Sequence, residues 1–316
     1  MDPGGNDSQV AQIQVSLGTV SMLVGGQITV TATALDGSGG TVAATITWSS
    51  SDDGVATVNA SGTIQGVGEG SATITASAGG ASATVAVSVT AELTDFMKDY
   101  VEAIFLGSGP LIPQDGFTAC VTNPGRWTAF PRGTTLEVLA STTMDTGSDG
   151  ADTKALVEAA LSTVTEATLG EITTTFATTT DPDPMPTAGQ ITTTDHPDPQ
   201  STGCAFERGC VHVTWTDAEF TIMESSRTVL KEDIQPGDAF VHDVIGHGIM
   251  GMCHIDQELV GGNEMTLMAG GPGAFTGFIP DELSPLDIQA AQAVYGTDLE
   301  PGATRADFVA RGLVRP

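Results

Sequence analysis

Basic residues are scarce in this 316-residue chain: ten Lys and Arg stand against 39 Asp and Glu, a formal net charge of −29. A nucleic-acid binder needs a basic footprint to neutralise phosphates. Docking on anionic lipid makes the same demand. Both classes are therefore excluded, while a soluble extracellular protein and one that collects cations fit the balance. Long apolar runs are missing too: no stretch reaches about 18 apolar residues, so no helical membrane span is expected. No basic n-region with an apolar h-region opens the chain, so no signal segment is expected within it. Charged residues make up only 16% and aromatics 5%, with Gly, Thr, Ala and Ser filling the gap. Hydrophobic residues still reach 40%, enough to bury real cores, which rules out a disordered acidic tail. The length suits about two domains of ~100–200 residues. Cysteine is limited to four positions, Cys120, Cys204, Cys210 and Cys253, a number that fits two extracellular disulfides or metal ligation.

Residues 9–90 carry almost no charge and alternate with period two, as in Ile28–Ala34, Thr45–Trp48, Ala72–Ala76 and Ala83–Val89. Turn residues separate the runs: Asp36-Gly-Ser-Gly-Gly40, Ser61-Gly62, Gly68-Glu-Gly70 and Gly79-Gly80. Short strands at regular spacing predict an all-β antiparallel sandwich with Trp48 as core anchor. Trp48-Ser-Ser-Ser-Asp52, Val55-Ala-Thr-Val-Asn59, Ser61–Val67 and Gly70–Ala76 resemble the bacterial immunoglobulin-like group 2 domain. Such modules serve as surface spacers or adhesive units, so the resemblance implies a cell-surface setting, with carbohydrate or protein contact as a partner class. The polar, turn-rich Met1–Ser8 reads as a flexible tether. It resembles the start of a mature bacterial lipoprotein with Met in place of the lipidated Cys; the plainer alternative is a trimmed secretory leader.

Near Ala91 the composition changes, and a second domain is expected over 93–316. Phe96, Tyr100, Val101, Ile104 and Phe105 recur at helical spacing within Leu93–Leu106. Thr135–Met144, Glu171–Thr179, Gln190–Thr194, Cys210–Thr216 and Phe220–Lys231 read as strands, and Asp152–Leu169, Ala239–Met250 and Ser284–Tyr295 as helices. Asp181–Pro186, with three prolines, cannot be regular structure. This order predicts an α+β domain with a mixed twisted sheet.

Three of the five histidines fall within thirteen residues, in Phe240-Val-His242-Asp243-Val-Ile-Gly246-His247-Gly-Ile-Met-Gly251-Met-Cys253-His254-Ile-Asp256. Imidazoles, a carboxylate and a glycine break on a helix followed by a turn point to a zinc site. The spacing resembles the metzincin pattern H-E-x-x-H-x-x-G-x-x-H with three departures. His242 and His247 are five apart, which on an α-helix at ~100° per residue leaves them ~140° apart around the axis. Both reach one ion only if the helix widens by a π-bulge. Gly251 and His254 each sit one residue further from His247 than the pattern has them. Asp243 replaces Glu as general base and is shorter by about 1.5 Å. Asp243, His247 and His254 form an alternative ligand set, with Cys253 a further candidate; the plainest alternative makes these the polar residues of a buried helix.

Glu264–Gly271 resembles the Met-turn of matrixin-like metzincins, with Met268 the residue beneath the metal. Leu283–Gly296 resembles the final matrixin helix, with Ser284 as N-cap and Asp287 completing a near capping box. The resemblance implies a secreted or surface-attached zinc metalloendopeptidase acting on protein or peptide substrates. Its cofactor is Zn2+, held by His242, His247 and His254 with Asp243 as general base. The competing reading is a non-catalytic zinc-binding adhesion or scaffold protein, and a third closes a structural site with Asp256. Cys204 and Cys210 bracket five residues and form a hairpin disulfide most simply, which leaves Cys120 for Cys253. Asp181, Asp183, Asp195 and Asp198 offer oxygen ligands for a structural Ca2+, beside the plainer reading of acidic loops. His196 reads as a solvated loop residue.

Overall fold

The computed structural model describes residues 10–111, 125–141, 161–196, 201, 209–231, 241–253, 255–256, 269–270 and 283–316. Two compact units divide between Leu93 and Thr94, with Tyr295–Thr297 grouped with the first.

Among its described residues the first unit holds nine strands: β1 Gln12–Val15, β2 Thr19–Leu23, β3 Gln27–Thr29, β4 Ala32–Leu35, β5 Thr47–Ser50, β6 Ala56–Val58, β7 Thr63–Gly66, β8 Gly70–Ala78 and β9 Ala81–Thr90. They form a four-stranded sheet β2-β9-β8-β5, a three-stranded sheet β3-β7-β6 and the pair β1-β4. Alternation sets the faces: Val85, Val87 and Val89 on β9 are buried, whereas Thr84, Ala86 and Ser88 between them are exposed. The predicted glycine-rich turn is closed by Asp36, whose carboxylate accepts the Ser38 and Gly40 N–H groups at 2.8 and 2.9 Å.

Three expectations need correction. The sandwich is not wholly antiparallel, since β2 runs parallel to β9; the two are joined by the rest of the domain and not by a hairpin. The run Ile28–Ala34 is not one strand. It breaks at Val30, whose N–H bonds Gly62 O at 2.9 Å, so that β3 pairs with β7 and β4 with β1. Trp48 is only half-buried and packs against Ile13, Ala34, Ala76 and Ala78; Ile64, Ile74 and Val85 are the sealed core.

The second unit opens with α1, Asp95–Leu106. The Thr94 hydroxyl caps it by accepting the Met97 N–H at 3.2 Å, and Gly107 at φ 58° ends it. Its Tyr100, Val101, Ile104 and Phe105 are buried, but Phe96, placed on the same face from spacing, is exposed and stacks on Tyr100 from outside. Strands β10 Thr134–Ser141, β11 Ile172–Thr179, β12 Gln190–His196, β13 Gly209–Trp215 and β14 Met223–Lys231 form one sheet ordered β11-β10-β12-β14-β13. The first three pairings in this order are parallel, and β13 lies antiparallel on β14 at the edge. The sheet is thus mixed, as expected. Residues 161–167 are helical; the earlier part of that predicted helix lies outside the described residues.

His196 ends β12 and is not in a loop, and Phe220 lies in the β13–β14 turn at φ 57°, so β14 starts later than expected. A carboxylate makes this turn: Asp217 accepts the Thr221 and Ile222 N–H groups at 2.9 Å each. Helices α2 Pro285–Tyr295 and α3 Arg305–Ala310 follow, the latter unforeseen. Arg305 grips the buried Glu102 of α1 through two bonds of 2.9 and 3.1 Å, and Arg315 grips Asp99.

Gly62 sits at φ +81°, and an added Cβ there would meet Val30 O at 2.2 Å and the Trp48 ring at 2.9 Å. Gly80 has φ +90° with open space around it. Gly80→Ala therefore costs about 1 kcal/mol, the left-handed penalty alone, whereas Gly62→Ala costs upwards of about 2 kcal/mol because the strand switch must also shift. Urea unfolding of the full chain measures both.

Candidate metal centre

Residues Val241–Ile249 wind as a π-helix, not an α-helix. Met250 N donates to Ile245 O, five residues back, at 2.9 Å, the i→i+5 pattern of that winding. One extra residue per hydrogen-bonded ring means that positions five apart stack much as positions four apart do in an α-helix. Positions 242 and 247 therefore stand one turn apart.

The helix lies against the sheet and is held at several points. Ser226 Oγ on β14 donates to Gly248 O at 2.8 Å. Val244, Ile245, Ile249 and Met250 are fully buried. The chain then leaves the helix sharply: Met252 N bonds Gly246 O at 2.8 Å, and Gly251 adopts φ 62°. A Cβ on Gly251 would lie 2.2 Å from Thr128 O, so glycine is required both by conformation and by space. Past the turn, buried Cys253 donates its N–H to Ile104 O of α1 at 2.7 Å.

His247 is half-buried, and its Nδ1 lies 2.8 Å from Met252 O. A carbonyl only accepts, so Nδ1 carries the hydrogen, and in the neutral ring the lone pair then sits on Nε2. Metal-bound histidines are oriented by this same arrangement, the second nitrogen donating to a carbonyl.

Strand β15, Ile255–Asp256, pairs in parallel with β16, Ala269–Gly270, Ile255 opposite Ala269. These residues follow His254 and Met268 in sequence, so the two segments run side by side. His254, Met268 and the side chains of His242, Asp243 and Asp256 lie outside the described residues. Among the described residues no group of three or more His, Cys, Asp or Glu is gathered.

The predicted capping box is present at α2. Asp287 accepts the Ser284 N–H at 3.0 Å, and Ser284 Oγ accepts the Asp287 N–H at 3.1 Å. The second Asp287 oxygen accepts the Tyr100 hydroxyl at 2.5 Å, so α1 is tied both to this cap and to the segment leaving the π-helix. Tyr295 is buried.

Of the carboxylates named for calcium, Asp181 and Asp183 are among the described residues. Asp183 pairs with Arg227, and Asp181 accepts the Asp183 N–H at 3.0 Å. The Asp195 side chain and Asp198 lie outside the described residues. Cys210 and Cys253 are disulfide-bonded, and no described cysteine is a free thiol. Cys120 and Cys204 lie outside the described residues, and with them the pairing.

Sequence reasoning did not find Met252, Thr128 or Ser226. Met252 and Thr128 act through backbone carbonyls, which carry no residue-type signal. Ser226 is one hydroxyl in a strand rich in them.

Comparison with known proteins places the first unit. Residues 9–89 match the family model of the bacterial Ig-like domain (group 2). A structure of domains 4 and 5 of the S-layer protein SbsC is 31% identical, covering 26% of this chain and 52% of that one, with a TM-score of 0.25. An intimin mutant of EHEC O157:H7 is 30% identical over 22% of this chain and 34% of that one, with a TM-score of 0.18. The chain thus spans about half or less of these structures. No curated protein matches it.

Gly251→Ala is expected to destabilise the second unit by more than about 2 kcal/mol, because the turn must pull away from Thr128. Near-UV circular dichroism and urea unfolding report it, and an unchanged midpoint would contradict the close approach.

Proposed function

We propose that the second unit is a zinc-dependent metalloendopeptidase domain carried at or outside the cell surface by the immunoglobulin-like domain. The observation that carries this is the π-helical winding of Val241–Ile249 with the His247 Nδ1–H held by Met252 O. The five-residue spacing demanded a widened helix, and the winding supplies it. It also favours His242 and His247 as a ligand pair over Asp243 and His247, which are four apart. His254 would complete the set after the Gly251 turn, with Met268 in the neighbouring segment. This donor set of imidazoles suits zinc.

Zinc held there would polarise a peptide carbonyl and lower the pKa of a water. The chain's own residues do the rest. Met252 O fixes the His247 ring and its tautomer. Asp243 takes the proton of the attacking water and returns it to the leaving amine. Gly251 turns the chain sharply as it leaves the helix. Disulfide-bonded Cys210 and Cys253 fit an oxidising compartment, with Cys204–Cys210 and Cys120–Cys253 as the pairing we favour. The match of residues 9–89 to the bacterial Ig-like domain (group 2) supports a surface or extracellular setting.

The second reading, a non-catalytic zinc-binding adhesion or scaffold protein, is favoured by Asp243 standing where the pattern has Glu. A shift of ~1 Å in a catalytic group is worth about a hundredfold. Elemental analysis and casein digestion with and without chelator separate the two. The expected result is one zinc per chain and chelator-sensitive cleavage. His247→Ala should lose metal while keeping its far-UV spectrum, and Asp243→Asn should keep metal while losing at least about a hundredfold in kcat. Stoichiometric zinc without cleavage supports the scaffold reading, and zinc retained by His247→Ala removes that residue from the site.

A further inference from the structure

The last carbonyls of the π-helix are satisfied from two sources. Ile245 O accepts the Met250 N–H at 2.9 Å and Gly246 O accepts the Met252 N–H at 2.8 Å, both from the chain that follows. Gly248 O has neither of the backbone donors its place would give it. An α-helical bond would bring it the N–H of Met252, which is committed to Gly246 O. A π-helical bond would bring it the N–H of Cys253, which is committed to Ile104 O of α1 at 2.7 Å. Its donor is instead Ser226 Oγ, which reaches across from β14 at 2.8 Å. Ser226 is fully buried and Gly248 is buried with it, so bulk water does not stand in for the hydroxyl.

A buried carbonyl deprived of its donor is costly, and the chain has one local way to supply another. The Met252 N–H, moved from Gly246 O to Gly248 O, would close an α-helical bond. That move tightens the last turn and shifts Met252, whose carbonyl accepts the His247 Nδ1–H at 2.8 Å. The Ser226 hydroxyl removes the need for it. We propose that Ser226 is a positioning residue. Its bond to Gly248 O holds the wide winding, and through Met252 it holds the His247 ring in the Nδ1–H tautomer with Nε2 left for a metal. The effect on zinc affinity rests on the zinc reading above, whereas the effect on the ring does not.

Strand β14 carries its own control. Thr228 lies two residues beyond Ser226 and so points to the same face of the sheet. It is fully buried, and its hydroxyl has no hydrogen-bond partner among the described residues. Thr228→Val therefore deletes a buried hydroxyl from the same strand and face without removing a bond to the helix.

The test uses the full chain with isotope-labelled histidine and reads the His247 tautomer, without metal, from two-bond proton–nitrogen spectra. The parent should show the Nδ1–H form. Ser226→Ala should show a mixture of the two tautomers. It should also bind zinc at least about tenfold more weakly, as for loss of an outer partner of a metal-bound histidine, measured by competition with a chromophoric chelator. Ser226→Thr, which keeps the hydroxyl, and Thr228→Val should both match the parent. Ser226→Val has the shape of Thr without the hydroxyl and should fail as Ser226→Ala does. The Thr and Val pair thus decides the question even where Ser226→Ala does not fold, with circular dichroism reporting the fold. A parental tautomer in the folded variants that lack the Ser226 hydroxyl overturns the proposal, as does an equal loss in Thr228→Val. A parent that binds no zinc, but whose Nδ1–H form is lost with the Ser226 hydroxyl, upholds the positioning role and overturns the zinc reading alone.

Discussion

The second unit depends on where one stretch of backbone places its hydrogen bonds. Between Val241 and Ile249 the chain bonds five residues back instead of four. Such winding is rare, because it widens the helix and loses axial contacts, and it persists only where the surroundings hold it. Here they do. Ser226 holds Gly248 from the sheet side, Met252 bonds back to Gly246, and Gly251 lets the chain pass against Thr128 where any side chain would collide. His247 is fixed by the same turn, since the carbonyl that orients its ring belongs to Met252.

Helix α1 gathers these restraints into one frame. Through Ile104 O it holds the segment after the turn, through Tyr100 the cap of α2, and through Glu102 and Asp99 the carboxy-terminal arginines. Glu102 is buried and acquires two bonds from Arg305, which meets the cost of placing a carboxylate there. The short α3 thus clamps the helix that holds the segment after the Gly251 turn.

Much of this was legible in the residues themselves. Period-two alternation marked β8 and β9, because a strand buried on one face must alternate. The Ser284 and Asp287 pair marked the start of α2, because an N-cap satisfies orphan donors with side chains of those types. The five-residue histidine spacing called for a widened helix if both rings were to meet one ion, and the winding itself is present. Other features were not legible. The break at Val30, the parallel β2–β9 pairing and the half-exposed Trp48 depend on which strands meet across the sandwich. Phe96 shares the helical spacing of its buried neighbours, and only the packing around α1 decides that its ring stays outside.

Sequence alone determined most of the element types and the boundary near Ala91, and it nominated the candidate ligands, because periodicity, turn residues and residue chemistry are local properties. Tertiary structure decided the rest: the carbonyl that selects the His247 tautomer, the sheet order that sets β13 at the edge, and the Ser226 hydroxyl that meets Gly248 O. Those depend on backbone atoms and on partners distant along the chain, and neither leaves a mark in residue type.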